Sequence, residues 1–173
     1  FKCDYQFNAP FTAWDEVSST VSYRDAPKDK PFFYVWNTLL THESRIWERS
    51  NQPLTVNPED IIIPSYFPDI PEVRNDIARK YSNIEAMDKK VGELISQLEE
   101  DGLLENTIIM FWSDHGGNLL RQKRAVGNSG LNVPLIIRYP NKMDAGKVDN
   151  RIVSLMDLGP TVLSLLNIDP PKH

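Results

Sequence analysis

The sequence predicts an α/β fold, a mainly parallel sheet covered by helices on both faces. Three runs, 31–37, 107–112 and 133–139, are short, almost continuously apolar and rich in β-branched or aromatic residues, the pattern of strands buried on both sides. One long apolar stripe separates the first two. A strand, a long helix and a further strand make a crossover unit, which generates parallel sheets with right-handed connections.

Residues 1–30 mix aromatics with Asn, Ser, Pro and Asp without a sustained period. They read as surface loops, with one short helix near Trp14-Asp15-Glu16-Val17. The first strand then delivers Thr41-His42-Glu43-Ser44-Arg45 just past its end. Pro53, Pro58, Pro64, Pro68 and Pro71 exclude regular structure from most of 50–71, so a long surface excursion is expected there. Beyond it Val73, Ile77, Tyr81, Ile84, Met87, Val91, Leu94, Ile95 and Leu98 recur in steps of mostly three and four, one face of a helix. Asp69 with Glu72 forms a capping pair for its start, Pro71 suits its first turn, and Gly102 supplies a left-handed stop. A last strand over 151–154 leads through Asp157 and Pro160 into a helix over 161–166, which ends before Pro170-Pro171.

With 173 residues and 40% hydrophobic content the chain can bury one real core, which favours a single domain over disorder. The net charge of −5, from 24 acidic and 19 basic residues, argues against a nucleic-acid partner. One cysteine, Cys3, allows no internal disulfide and no Cys-rich zinc centre. No apolar run approaches the roughly 18 residues of a membrane span. The start Phe1-Lys2-Cys3-Asp4 is neither an initiator methionine nor a signal peptide, so a beginning inside a longer polypeptide is expected.

In an open parallel sheet, ligands bind along the carboxyl edge of the strands. That rule selects His42, after the first strand, and Asp114 with His115, after the second. The third histidine is the terminal His173. Asp114-His115 pairs a hard carboxylate oxygen with an imidazole nitrogen, a combination suited to calcium, magnesium, manganese or zinc, and Gly116-Gly117 lets the backbone turn and approach an ion or anion. Spacing alone leaves a bland alternative, a helix cap beside an ordinarily hydrogen-bonded histidine. Two ligands also fall short of the six to eight oxygens that calcium takes, so others must come from elsewhere. The cluster Arg121-Gln122-Lys123-Arg124 is open between a solvated cationic face and an ammonium that balances an oxyanion. His42 is open between a structural role and protonation of a leaving alcohol.

Taken in order, several segments resemble the later part of the sulfatase family, within the alkaline phosphatase superfamily, with closest similarity to heparan N-sulfatase-like members. They are Thr41-His42-Glu43-Ser44-Arg45, Ile84-Glu85-Ala86-Met87-Asp88-Lys89-Lys90-Val91-Gly92, Glu105-Asn106-Thr107-Ile108-Ile109, Ser113-Asp114-His115-Gly116-Gly117, Val133-Pro134-Leu135-Ile136-Ile137-Arg138 and Val153-Ser154-Leu155-Met156-Asp157-Leu158-Gly159-Pro160-Thr161. Together they cover roughly residues 31 to 168, and their order is more specific than any one of them. The resemblance implies an alkaline phosphatase-like fold, and that Asp114 and His115 are two ligands of a divalent ion, calcium in most sulfatases and manganese or zinc in phosphoesterase relatives. It further implies that Lys123 contacts the sulfuryl oxygens and that His42 stands on the leaving-group side. Lys123 is chosen over Arg124 because the family lysine stands seven residues before a glycine, as Lys123 does before Gly130. The family's tyrosine and acidic residue ahead of that glycine are here Gly127 and Asn128.

Two family features are absent from residues 1–173, the early pair of metal-binding aspartates and the Cys-x-Pro-Ser-Arg segment whose cysteine becomes formylglycine. Cys3 precedes Asp4-Tyr5-Gln6 and cannot be that nucleophile. The whole chain therefore reads as a partial catalytic domain, inactive alone, of a metal-dependent hydrolase of sulfate esters or sulfamates, acting on a small or carbohydrate substrate. A phosphodiesterase or phosphonate monoester hydrolase, and a non-catalytic fragment or pseudo-enzyme, stand as alternatives. The resemblance also carries an expectation of a periplasmic, secreted or lysosomal location.

Overall fold

The structure is a computed structural model that describes Asn8, Pro10 and residues 12–171. Cys3 and His173 lie outside the described residues. In chain order the regular elements are a short helix α1 (Arg45–Glu48), the long helix α2 (Pro71–Glu100), strand β1 (Ile109–Trp112), a single turn α3 (Asn128–Leu131), strand β2 (Leu135–Arg138) and helix α4 (Leu158–Leu165). Trp14 lies outside any helix and stacks on Phe33 at 5.9 Å between ring centroids.

Helix α2 follows the predicted stripe, with Pro71 as its first residue. Its stop is a left-handed Gly102 (φ 69°), where the Gly102 amide bonds the Glu99 carbonyl at 3.0 Å and the Leu103 amide bonds the Leu98 carbonyl at 2.8 Å. This double bond pattern satisfies the carbonyls left over at the helix end. The start departs from expectation: Ile70 is the capping position and no side chain caps it. Asp69 is engaged instead by Arg74, at 2.6 and 2.8 Å, and a charged guanidinium is a stronger partner for a carboxylate than a backbone amide.

The first half of α2 is the anchored half. Ile77 and Ala78 pack with Ile61, and Leu54, Val56, Ile63, Val73 and Leu119 surround them. The proline-rich excursion thus forms one wall of the core and carries only a single 3-10 turn, Pro58–Asp60. Buried polar groups stitch it down. Ser82 Oγ accepts from the Thr55 and Val56 amides at 3.0 and 3.2 Å, and the Arg79 guanidinium donates to the carbonyls of Ser50, Gln52 and Pro53. Asn83, fully buried, accepts from Arg49 at 2.8 Å. At the far end of α2, Arg24 and Tyr23 both bond the Asp101 carboxylate at 2.7 Å, tying the segment before the first apolar run to the helix.

The sheet is where the structure corrects the prediction. Strands β1 and β2 pair antiparallel, Ile109 opposite Arg138 and Trp112 opposite Leu135. A parallel return needs a crossover, usually a helix. The connection 113–134 holds only the one-turn α3, so the chain doubles back beside the strand it left. Among the described residues these two strands are the whole sheet. The apolar run 31–37 is not in a ladder and makes no backbone-to-backbone hydrogen bond with another described residue. Residues 151–154 likewise form no strand, and Ile152 is fully exposed. Helix α4 begins earlier than predicted, and the Asp157 carboxylate closes the preceding turn by accepting from the Ser154 amide at 2.8 Å. The supported architecture is α/β, helices with a two-stranded antiparallel sheet.

Candidate active site

The loop leaving β1 is an interlock of close backbone contacts. The Gly116 amide donates to the Gly130 carbonyl at 2.8 Å, and a Cβ on Gly116 would sit 2.0 Å from the Ser129 carbonyl oxygen. Both Gly116 and Gly117 have ordinary negative φ, so these glycines serve for space rather than for a left-handed turn. Ser113 Oγ donates to the His115 carbonyl at 2.7 Å and closes the turn from the strand side.

This scaffold orients His115. Its Nδ1 lies 2.7 Å from the Gly116 carbonyl, an atom that only accepts, so the hydrogen-bond network places the ring proton on Nδ1. The Nε2 lone pair is then left to ligate, the arrangement by which a backbone carbonyl fixes a metal-binding histidine. Asp114 Oδ1 stands 3.7 Å from that Nε2, with its side chain 59% exposed. Carboxylate and imidazole thus fit two neighbouring positions around one divalent cation. Among the described residues no cluster of three or more His, Cys, Asp or Glu could hold an ion. The pair fits part of such a site.

Residues 121–124 pass over the same loop. The Lys123 amide donates to the Gly117 carbonyl at 2.8 Å. Arg121 and Arg124 adopt positive φ, 61° and 68°, and turn outward, Arg121 over the Tyr66 ring at 5.2 Å and Arg124 onto Glu43. Lys123 turns in. Its Nζ is 3.2 Å from Glu43 Oε1 and 3.5 Å from His42 Nε2, bringing together residues far apart in sequence. The Lys123 ammonium beside Glu43 holds that carboxyl below the usual glutamate range, with Arg124 adding to the effect.

His42 is oriented from within its own motif: its Nδ1 lies 3.3 Å from the Ser44 amide and 3.1 Å from Ser44 Oγ, and the Lys123 ammonium, which only donates, lies 3.5 Å from its Nε2. Lys123 Nζ and His42 Nε2 therefore stand side by side. Asn118 ties the two loops together, its Nδ2 donating to the Thr41 carbonyl at 3.3 Å. Its Oδ1 is buried with no hydrogen-bond partner in the structure, an acceptor that a cation or a donor on a bound group would satisfy.

All four predicted residues are thus found in one neighbourhood, Asp114 and His115 as one pair and His42 with Lys123 as another. Glu43 and Asn118 were missed by sequence reasoning. Glu43 adjoins His42 in the motif, and only its contact with Lys123 marks it out. Asn118 carries no sequence signal beyond following the double glycine.

His42, Glu43, Asp114 and His115 line a cleft of about 2020 Å³ whose other walls are mostly apolar, including Ile84, Met87, Val91 and Leu94 of α2 and the run 31–37.

A family model for sulfatases matches residues 12–168. The chain belongs to the sulfatase family. It is 38% identical to an ulvan-active sulfatase of Formosa agariphila, in a match covering all of this chain and 35% of that protein. It is 31% identical to human N-sulphoglucosamine sulphohydrolase over 70% of this chain and 24% of the relative, in line with the heparan N-sulfatase-like resemblance. An N-acetylglucosamine-6-O-sulfatase of Bacteroides thetaiotaomicron is 36% identical over half of the chain and 16% of its own length. The chain thus spans about a third or less of the length of these relatives. Among its described residues no helix is long and apolar enough to cross a membrane.

Proposed function

We propose that the chain is the part of a sulfatase catalytic domain that supplies two metal ligands and the leaving-group side of the site, in a protein that hydrolyses a sulfate ester or sulfamate. The observation that carries this reading is the convergence of Lys123 Nζ and His42 Nε2, 3.5 Å apart, in the same neighbourhood as the Asp114-His115 pair. An ammonium beside an imidazole suits an anion whose charge moves from sulfur toward the departing oxygen.

In the reaction the nucleophile bonds to sulfur as the S–O or S–N bond to the leaving group breaks, so the sulfuryl group passes to the nucleophile and the departing alcohol or amine takes up a proton. His42 Nε2 supplies that proton, and Lys123 balances charge on the sulfuryl oxygens. Asp114 Oδ1 and His115 Nε2 would hold a divalent ion, calcium by family expectation with manganese or zinc as alternatives, which supplies Lewis-acid polarisation of the sulfuryl group. The nucleophile, a formylglycine by the same expectation, and the remaining ligands come from outside these residues. The cleft supports this. Its volume exceeds the 300–1,000 Å³ typical of small-molecule pockets, and its apolar walls suit further protein, so we infer that other segments of the domain pack there. The names of the relatives, ulvan-active and N-acetylglucosamine-6-O-sulfatase, favour a sulfated carbohydrate as substrate.

The test is the full-length protein assayed on matched aryl sulfate and aryl phosphate esters. A preference for sulfate that disappears in His42→Ala and Lys123→Ala supports the proposal. A strong preference for phosphate overturns it in favour of a phosphodiesterase or phosphonate monoester hydrolase.

A further inference from the structure

Lys80 is a cation in an unusual place. It sits in the anchored half of α2, directly after the buried Ile77, Ala78 and Arg79, and it lines the same cleft as His42, Asp114 and His115. Among the described residues it makes no ion pair, and its one hydrogen bond is to a neutral amide, Gln122 Oε1 at 2.9 Å. Dehydration of its ammonium pushes it below the usual lysine range. A helix position chosen only for packing would take Met or Leu without that cost.

What Lys80 touches supplies the reason. Gln122 immediately precedes Lys123, and the Lys123 amide is bonded to the Gly117 carbonyl. The space beside Gly117 is filled by these two side-chain ends: a Cβ there would lie 2.1 Å from Gln122 Oε1 and 2.5 Å from Lys80 Nζ. The Lys80 ammonium, the Gln122 amide and the bare Gly117 backbone therefore form a wedge beneath residues 121–124. That segment needs holding, since two of its arginines occupy the left-handed region, which costs about 1–2 kcal/mol for an ordinary residue. In this shape Lys123 lies against His42 and Glu43 while Arg121 covers the Tyr66 ring.

We propose that Lys80 is a positioning residue of the anion site, acting through Gln122 and the Gly117 turn to aim Lys123 at the space it shares with His42. This rests on the sulfatase reading of Lys123 and adds a requirement that the reading does not contain. Lys80 acts on Lys123 alone, so its removal should matter only while Lys123 is present.

A double-mutant cycle in the full-length protein tests this, with Lys80→Met, Lys123→Met and the pair compared for affinity toward inorganic sulfate by calorimetry and for kcat and KM on an aryl sulfate. Lys80→Met is expected to weaken sulfate binding and lower kcat by about tenfold, the scale of a misplaced catalytic group. The double variant should be no weaker than Lys123→Met alone. Additive losses, or unchanged sulfate affinity in Lys80→Met, overturn the proposal. Gln122→Ala removes the same link without touching α2 and should reproduce the loss if Lys80→Met fails to fold; normal sulfate affinity in Gln122→Ala overturns it too. If Lys123→Met itself changes neither sulfate affinity nor turnover, the sulfatase reading of this site falls first, a result distinct from failure of the Lys80 link.

Discussion

The two histidine loops of the site are built in opposite ways. His42 is oriented from within its own motif, by the Ser44 amide two residues on, in the turn that leads into α1. His115 is oriented by the carbonyl of the next residue, in a loop whose shape depends on Gly130 and Ser129 arriving from farther along the chain. Nε2 of His42 faces the Lys123 ammonium and Nε2 of His115 faces the Asp114 carboxylate, so identical side chains meet opposite charges.

The comparison breaks most visibly on the ligand side. In the full-length protein Asp114→Ala is expected to lower turnover by at least about 10³-fold, the several kcal/mol that a Lewis-acid cation contributes, together with a weaker metal titration. Chelation of the wild type should give the same loss and calcium should reverse it; turnover that survives exhaustive chelation would remove metal from the scheme. On the donor side, His42→Ala is expected to lower kcat by about 10²–10⁴-fold on esters with poor leaving groups and far less on activated aryl sulfates, which need no proton. Equal losses on both would assign His42 to binding instead.

Gly116→Ala separates the two constructions. Its Cβ would collide with the Ser129 carbonyl, so the cost is about 1–3 kcal/mol of overpacking, read as a lower Tm, with metal affinity falling while His42 keeps its orientation. The smallest effect belongs to Glu43→Gln. Lys123 depresses the Glu43 pKa, so the ion pair is intact above the ordinary glutamate range and is lost as pH falls through the lowered value. Removing that carboxylate leaves Lys123 free for an anion, and sulfate affinity at neutral pH should tighten a few-fold by calorimetry. The wild type should approach the variant on acidification, and parallel pH curves for the two would dismiss this competition.

Much of the helical part was legible because a period of 3.6 is written into local sequence. The stripe from Val73 to Leu98, Pro71 and Gly102 located α2 to within a residue or two at each end. The capping pair failed because Asp69 found Arg74, a choice between two nearby partners that spacing does not rank. The apolar runs were legible as strand material, yet only 109–112 and 135–138 pair, since a ladder requires a neighbour and sequence period carries no information about who that neighbour is. The same limit explains why 31–37 lines the cleft outside any ladder among the described residues.

By itself the sequence determined the family, the residue types at the strand ends and the long helix, all of which reside in local patterns and in the order of motifs. Tertiary structure alone decided that Glu43 and Asn118 belong to the site, and which charged group faces Nε2 of each histidine. Those outcomes depend on contacts between segments distant in the chain, where a displacement of an ångström changes which atom is the partner.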